Sequence, residues 1–220
     1  LYLTDMGRVL MEEGGYIDKY IGDAIVAFWN APLPQPDHAA RAIRSALRCQ
    51  QVLRERQTAL SEKAAGMPVR MRIGLNTGEV VIGNMGSQER FNYTMLGDAA
   101  NLASRLEGAN KAFGTFILAS ESTWRAAGDA VCGRELGALR VVGRNKPVRV
   151  YEPLALRPED LPAWLPDFEA GLRAVAEKNW NAAMACFERL PDDPPSRAYL
   201  RKLRELNGED WDGVWSLTEK

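Results

Sequence analysis

Apolar positions recur at helical spacing over the first thirteen residues (Leu3, Met6, Val9, Leu10) and stop at Gly14-Gly15, which predicts a helix with a sharp end. The next stretch, YIDKYIGDAIVAFW, reads as strand, tight turn, strand. Gly22-Asp23 forms the turn, because glycine reaches the positive φ that hairpin turns demand. Pro32, Pro34 and Pro36 end the second strand. Residues 37–60 then predict one long helix, with Asp37 as N-cap and Ile43, Ala46, Leu47 and Leu53 as its buried stripe.

Residues 69–83, VRMRIGLNTGEVVIG, alternate well enough for two strands joined at Asn76-Thr77-Gly78. GNMGSQERFN is polar and predicts a loop or projecting arm, and YTML a short strand. Asp98 is expected to cap a helix over AANLASRLEGANK, with Leu102, Ala103 and Leu106 towards the core. TFILA reads as a strand, SESTWRAAG as a helix, and the runs around LRVVG and VRVYEPL as two more strands. The expected architecture is α+β: a ferredoxin-like antiparallel sheet with helices on one face. RPEDLPAWLP carries three prolines and marks a linker, placed at 154–166, between a first domain at 1–153 and a helical hairpin with a Trp-rich tail at 167–220. Within that extension Trp180, Ala183 and Phe187 match part of a tetratricopeptide repeat. One such pair is too few for a solenoid, so it packs on the main domain or on a partner. The two tryptophans of WDGVWSLTEK either anchor the tail or form a docking patch; the cost of exposing large aromatics favours anchoring.

Composition narrows the field. The chain has 220 residues, 46% of them hydrophobic, enough for a real core, and a net charge of −1, so nothing pulls it towards nucleic acid. Cys49, Cys132 and Cys186 are far apart and lack metal spacing, which predicts reduced, buried thiols in a cytosolic chain. His38 is the single histidine, which argues against zinc chemistry and a Ser-His-Asp triad. No apolar run reaches the roughly 18 residues that a membrane span needs. The opening LYLTDMGRVL has no signal-peptide core and reads as the middle of a helix, so a longer parent chain is expected.

Two places invite chemistry. An acidic residue at a hairpin turn, Asp23, is ordinarily a turn residue, but a carboxylate on a rigid turn also suits Mg²⁺ when a second carboxylate and phosphate oxygens complete the shell. Asn101 and Arg105 lie four apart on one helix face. Arg offers a planar fork for phosphate and Asn an orienting amide. The same face also reads as solvated surface.

Three stretches together, GYIDKYIGDAIVAFWNAP, RIGLNTGEVVIGNMGSQERFNYTMLGDAANLASRLEGANK and LRVVGRNKPVRVYE, resemble a class III nucleotide cyclase catalytic domain over roughly residues 1–153. The resemblance implies a ferredoxin-like core and a head-to-tail homodimer with two shared sites. Two metal ions, Mg²⁺ or Mn²⁺, polarise the phosphates while the ribose 3′-hydroxyl attacks the α-phosphate and pyrophosphate leaves. It implies Asp23 as a metal ligand, Lys19 and Thr94 as the purine-reading pair, and Met95 as a backbone contact to the base. It implies Asn101 as the residue orienting the ribose and Arg105 as the one stabilising the transferring phosphate. Lys with Thr resembles the bacterial adenylate cyclase subgroup, so the expected substrate is ATP; guanylate cyclases typically show Glu and Cys there.

Two departures from the family's pattern stand out. The strand motif that carries the other metal aspartate is absent, so a chain with these residues alone is expected to be nearly inactive. Where the family often shows Val-Lys-Gly-Lys, the text is Val141-Val142-Gly143-Arg144, and Arg144 or Lys146 takes the phosphate-contacting role. The helical extension resembles that of bacterial cyclases with an upstream sensory module, which implies a cytoplasmic domain in a parent anchored in the inner membrane. The rivals are a catalytically dead nucleotide-binding regulatory domain and a guanylate cyclase. A diguanylate cyclase is disfavoured by the lack of its Gly-Gly-(Asp/Glu)-Glu-Phe turn.

Overall fold

A computed structural model of the chain describes residues 2–87, 89, 91–141, 146–206 and 210–216. Helix α1 (Tyr2–Glu12) leads into the hairpin β1 (Tyr16–Ile21) and β2 (Ala24–Phe28), paired antiparallel from Tyr16↔Phe28 to Ile21↔Ala24. Gly22, at φ 62°, takes the first turn position. The long helix expected over 37–60 breaks at Arg56 into α2 (His38–Glu55) and α3 (Gln57–Lys63). Asp37 precedes α2 without capping it; its carboxylate accepts instead from Arg41 Nε at 2.8 Å.

The main sheet corrects two expectations. Its order is β3 (Ile73–Leu75), β6 (Ile117–Ser120), β8 (Val148–Ala155), β7 (Cys132–Arg140), β9 (Val214–Ser216). β3 runs parallel to β6 and β7 parallel to β9, so the sheet is mixed rather than antiparallel. The parallel pair follows from a crossover: α4 (Asp98–Phe113) lies between β3 and β6 in the chain. Helices also cover both faces. Ile117 and Ala119 of β6 pack into a cluster with Ile43 and Ala46 of α2, whereas Leu118 packs with Leu102 and Leu106 of α4. The unbroken apolar run FILA is the sequence signature of such a two-sided strand.

Residues 69–83 do not form a hairpin. β4 (Val81–Gly86) pairs with β5 (Phe91–Leu96) in a separate antiparallel ribbon, so much of the expected polar loop is strand. Alternation alone does not say which edge a strand will find. Helix α4 starts one residue beyond Gly97, which holds the N-cap position assigned to Asp98. α5 (Glu121–Ala127) is capped by Ser120, whose hydroxyl accepts from the Thr123 N–H.

The extension contributes α6 (Leu165–Ala176), α7 (Trp180–Glu188) and α8 (Pro194–Glu205). These helices share one core with the sheet: Phe168, Phe187 and Tyr199 are fully buried alongside Phe113, Leu136 and Val150. Of the three pattern residues, Ala183 and Phe187 are buried and Trp180 is half-buried. An ion cluster ties the layers together. Arg134 of β7 donates to Glu152 of β8 at 2.8 Å and in a two-pronged fork to Asp193 at 2.7 and 2.9 Å. Its guanidinium lies against the Trp164 and Phe168 rings. Tyr199 donates its hydroxyl to the Leu136 carbonyl at 2.7 Å. Trp211 is 7% exposed and Trp215 is half-buried, so the tail is anchored. Cys49 is buried, with its thiol pushed up to about 12 by desolvation, whereas Cys132 and Cys186 are partly exposed, contrary to expectation. Among the described residues, no helix is long and apolar enough to cross a membrane.

Candidate active site

The β1–β2 hairpin carries an irregularity between Ile17 and Lys19 that leaves Asp18 as the extra residue. Bulges re-aim side chains. Here the Asp18 carboxylate turns inward, 2% exposed, while Lys19 stays 48% exposed beside it. Their charged atoms lie 3.3 Å apart, an ion pair outside hydrogen-bond geometry, and Asp18 Oδ2 has no hydrogen-bond partner among the described residues.

Tyr93 of β5 fixes the second ribbon on this hairpin. Its ring meets Tyr16 edge-on at 5.3 Å and lies 6.3 Å from Phe28. The next residue, Thr94, is thereby delivered to β1, and Lys19 Nζ donates to Thr94 Oγ1 at 3.2 Å. Met95 follows and lines a cavity of about 600 Å³ between β2 and the segment from Gly74 to Val80.

Asp23 stands exposed at the hairpin tip. Its charge reaches Tyr2 of α1, whose phenol is pushed up to about 12, first by burial and then by that carboxylate. Among the described residues no group of three or more His, Cys, Asp and Glu side chains is placed to hold a metal ion.

Helix α4 is held from both ends. Asn76 donates to the Ala99 carbonyl at 3.0 Å and accepts from Ser120 Oγ at 2.7 Å. Asn110 donates to the Ile73 carbonyl at 3.0 Å and accepts from Thr115 Oγ1 at 2.8 Å. Between these clamps α4 rests directly on Gly74, where a Cβ would come within 2.0 Å of the Ala103 carbonyl. Asn101 and Arg105 therefore project from a rigid rod, into a second cavity of about 1160 Å³ walled by α8 and the tail. Arg105 Nη1 is buried without a hydrogen-bond partner among the described residues.

Comparison with known proteins now decides the family. The model of the adenylate and guanylate cyclase catalytic domain matches residues 2–150. The chain belongs to that family. It is a class III cyclase domain, similar to Adenylate cyclase 1 of Rhizobium meliloti (strain 1021), with 39% identity over 152 residues, 69% of this chain. The chain spans 23% of that relative's length. Among solved structures, the guanylyl cyclase Cya2 matches at 35% identity with a TM-score of 0.63, covering 71% of this chain and 78% of that one. The adenylyl cyclase CyaB from P. aeruginosa matches at 31% identity, also at 0.63, covering 73% of this chain and 82% of that one.

The cyclase domain thus brings Lys19 and Thr94 into contact, with Met95 next to Thr94 in the chain. It places Asn101 and Arg105 on a different cavity, and Asp23 at the hairpin tip. Arg144 lies outside the described residues. The family generally uses divalent metal ions, but Asp23 alone does not suit a pair of them, because each ion needs several anionic oxygens. Asp18 escaped sequence reading, since a bulge that turns a strand residue inward leaves no periodic trace; its only signal is an acid directly before Lys19.

Proposed function

We propose that this domain serves as an adenylate cyclase, converting ATP to 3′,5′-cyclic AMP and pyrophosphate. The observation that carries the reading is the Lys19–Thr94 hydrogen bond, which unites two positions 75 residues apart in one base-reading pair. Lys19 donates to the adenine N1 edge and the Thr94 hydroxyl accepts from the exocyclic amine. Guanine presents the opposite donors and acceptors at both positions. Asp18 positions Lys19 through their ion pair at 3.3 Å. Met95 gives backbone contacts to the base.

In the reaction the ribose 3′-oxygen forms a bond to the α-phosphorus, the bond to the bridging oxygen of the β-phosphate breaks, and the hydroxyl proton leaves to solvent. Asn101 orients the ribose and Arg105 binds the phosphate that gains charge. Asp23 would hold a divalent ion, Mg²⁺ or Mn²⁺, which when bound would offset charge on the phosphates; the described residues supply only part of its shell. Arg144 remains a candidate phosphate contact.

Met95 and Arg105 line different cavities, which supports a head-to-tail homodimer in which each site takes Lys19 from one copy and Arg105 from the other. Among the described residues β2 and β3 each keep one edge without a strand partner; these edges flank one cavity and fit a ferredoxin-like sheet with room for one more strand. A cytoplasmic setting, an upstream sensory module and a tetratricopeptide-like role for α6 and α7 belong to the same reading.

The test is product analysis of the full-length protein with Mg·ATP, Mn·ATP and the GTP complexes, alongside K19E/T94C. Cyclic AMP should predominate, and the double variant should lose about tenfold or more in ATP turnover, the scale of one mispaired charged hydrogen bond. Preference for GTP at equal concentration, or unchanged ATP kinetics in the variant, overturns the adenine assignment. A parent chain that also lacks the second metal aspartate would favour one rival, a nucleotide-binding regulatory domain. Intact ATP binding with no product from either nucleotide would select it.

A further inference from the structure

The cavity between α4 and the extension has a charge pattern that the cyclase reading leaves unexplained. Its wall carries four cations: Arg105 and Lys111 from α4, Arg201 and Lys202 from α8. Of the carboxylates beside them, Glu107 is paired with Arg72 at 3.1 Å and Asp212 with Arg140 at 3.4 Å. Glu205 alone is uncommitted among the described residues. None of the four cations has a carboxylate partner among those residues. Lys202 lies over the Trp211 ring, 5.7 Å from its centre, which holds its stem against the wall. Arg105 buries a guanidinium nitrogen that nothing described accepts from. A charged donor left buried and unmet is costly, so the geometry calls for an acceptor. A cavity with excess positive charge and a waiting fork fits a polyphosphate.

We infer that this cavity is a polyphosphate site, in which Arg201 and Lys202 of the C-terminal extension join Arg105 in holding the phosphate chain of the nucleotide. The inference rests on the cyclase reading for the identity of the nucleotide, but not for the site. It gives the extension a direct role: α8 supplies cations to a site whose other wall is the catalytic-domain helix. Arg201 is exposed and Lys202 half-buried, and neither packs in the core, so both can be neutralised without unfolding the chain.

The experiment is calorimetric titration of this chain with inorganic tripolyphosphate, in wild type, R201Q/K202Q and R157Q. Arg157 is a distant control, paired with Asp160. Wild type should bind, more weakly as salt rises. R201Q/K202Q should bind about tenfold or more weakly, and R157Q like wild type. Failure of wild type to bind, or equal binding by the double variant, overturns the inference. Cyclic nucleotide production by the full-length R201Q/K202Q protein separates the two readings. Normal turnover and KM there, with tripolyphosphate binding lost, would show that the cavity does not hold substrate and overturn the inference while sparing the cyclase reading. A raised KM for ATP is the expected result. Wild-type binding without turnover in any form would sink the cyclase reading and leave the anion site standing.

Discussion

Arg134 shows what a single side chain carries here. It is 2% exposed and faces two carboxylates, so the buried cluster holds one negative charge too many. Burial accordingly pushes the Glu152 carboxyl above its ordinary range, even though Arg134 pulls the other way. The sign follows from linkage. A raised carboxyl binds its proton more tightly in the folded state, so its contribution is full below the ordinary carboxylate range and is lost as pH rises through the raised value. Glu152→Gln keeps an acceptor for Arg134 and removes the surplus charge. It should change stability at neutral pH by no more than about 1 kcal/mol and flatten the decline above the ordinary carboxylate range. Arg134→Met leaves two buried carboxylates without their cation and should cost about 3–5 kcal/mol. Urea unfolding of both variants at pH 5 and pH 7 checks the pair. Nothing in the spacing of Arg134, Glu152 and Asp193 announced this cluster, because the three meet only through tertiary packing.

Elements were legible where one local rule decided them. The hairpin at Gly22-Asp23 follows from turn chemistry, and α1 and α4 follow from helical periodicity with sharp ends. The pairing of β3 did not follow, because residues 69–83 alternate like a hairpin while their partners lie in β6 and β5. Nor did the break between α2 and α3, which no proline or glycine marks. Gly74 is the element-level hinge of the site. Its missing Cβ lets the α4 backbone sit on β3, with the Ala103 carbonyl and Glu107 amide at 2.0 and 2.3 Å from where that atom would be. Gly74→Ala must push the helix away, since both obstacles are backbone. It should lower stability by about 1–3 kcal/mol and turnover with it, by moving Asn101 and Arg105 together. Thermal unfolding read beside product formation tests this; a fully active, fully stable variant would contradict the packing.

For the whole molecule, the candidate site was legible as a set of residue types but not as a place. The sequence motifs name Lys19, Thr94, Asn101 and Arg105 together, yet the fold sends the first pair and the second pair to different surroundings. The proposed site shared between two copies would bring the pairs together. It predicts complementation in the full-length protein: K19E and R105A, each reduced about tenfold or more alone, should rise to about a quarter of wild-type turnover when mixed in equal amounts. Half of the dimers are then mixed, and each mixed dimer rebuilds one intact site of two. No recovery on mixing, with dimers exchanging freely, would return both pairs to a single copy.

The strand β9 completes the sheet by running beside β7 at Ala138↔Val214 through Arg140↔Ser216. Without it, the outer edge of β7 would offer a row of unmet amides and carbonyls to any passing strand. Three residues therefore stand between this sheet and the strands of its neighbours, and a chain cut between α8 and β9 would leave that border open.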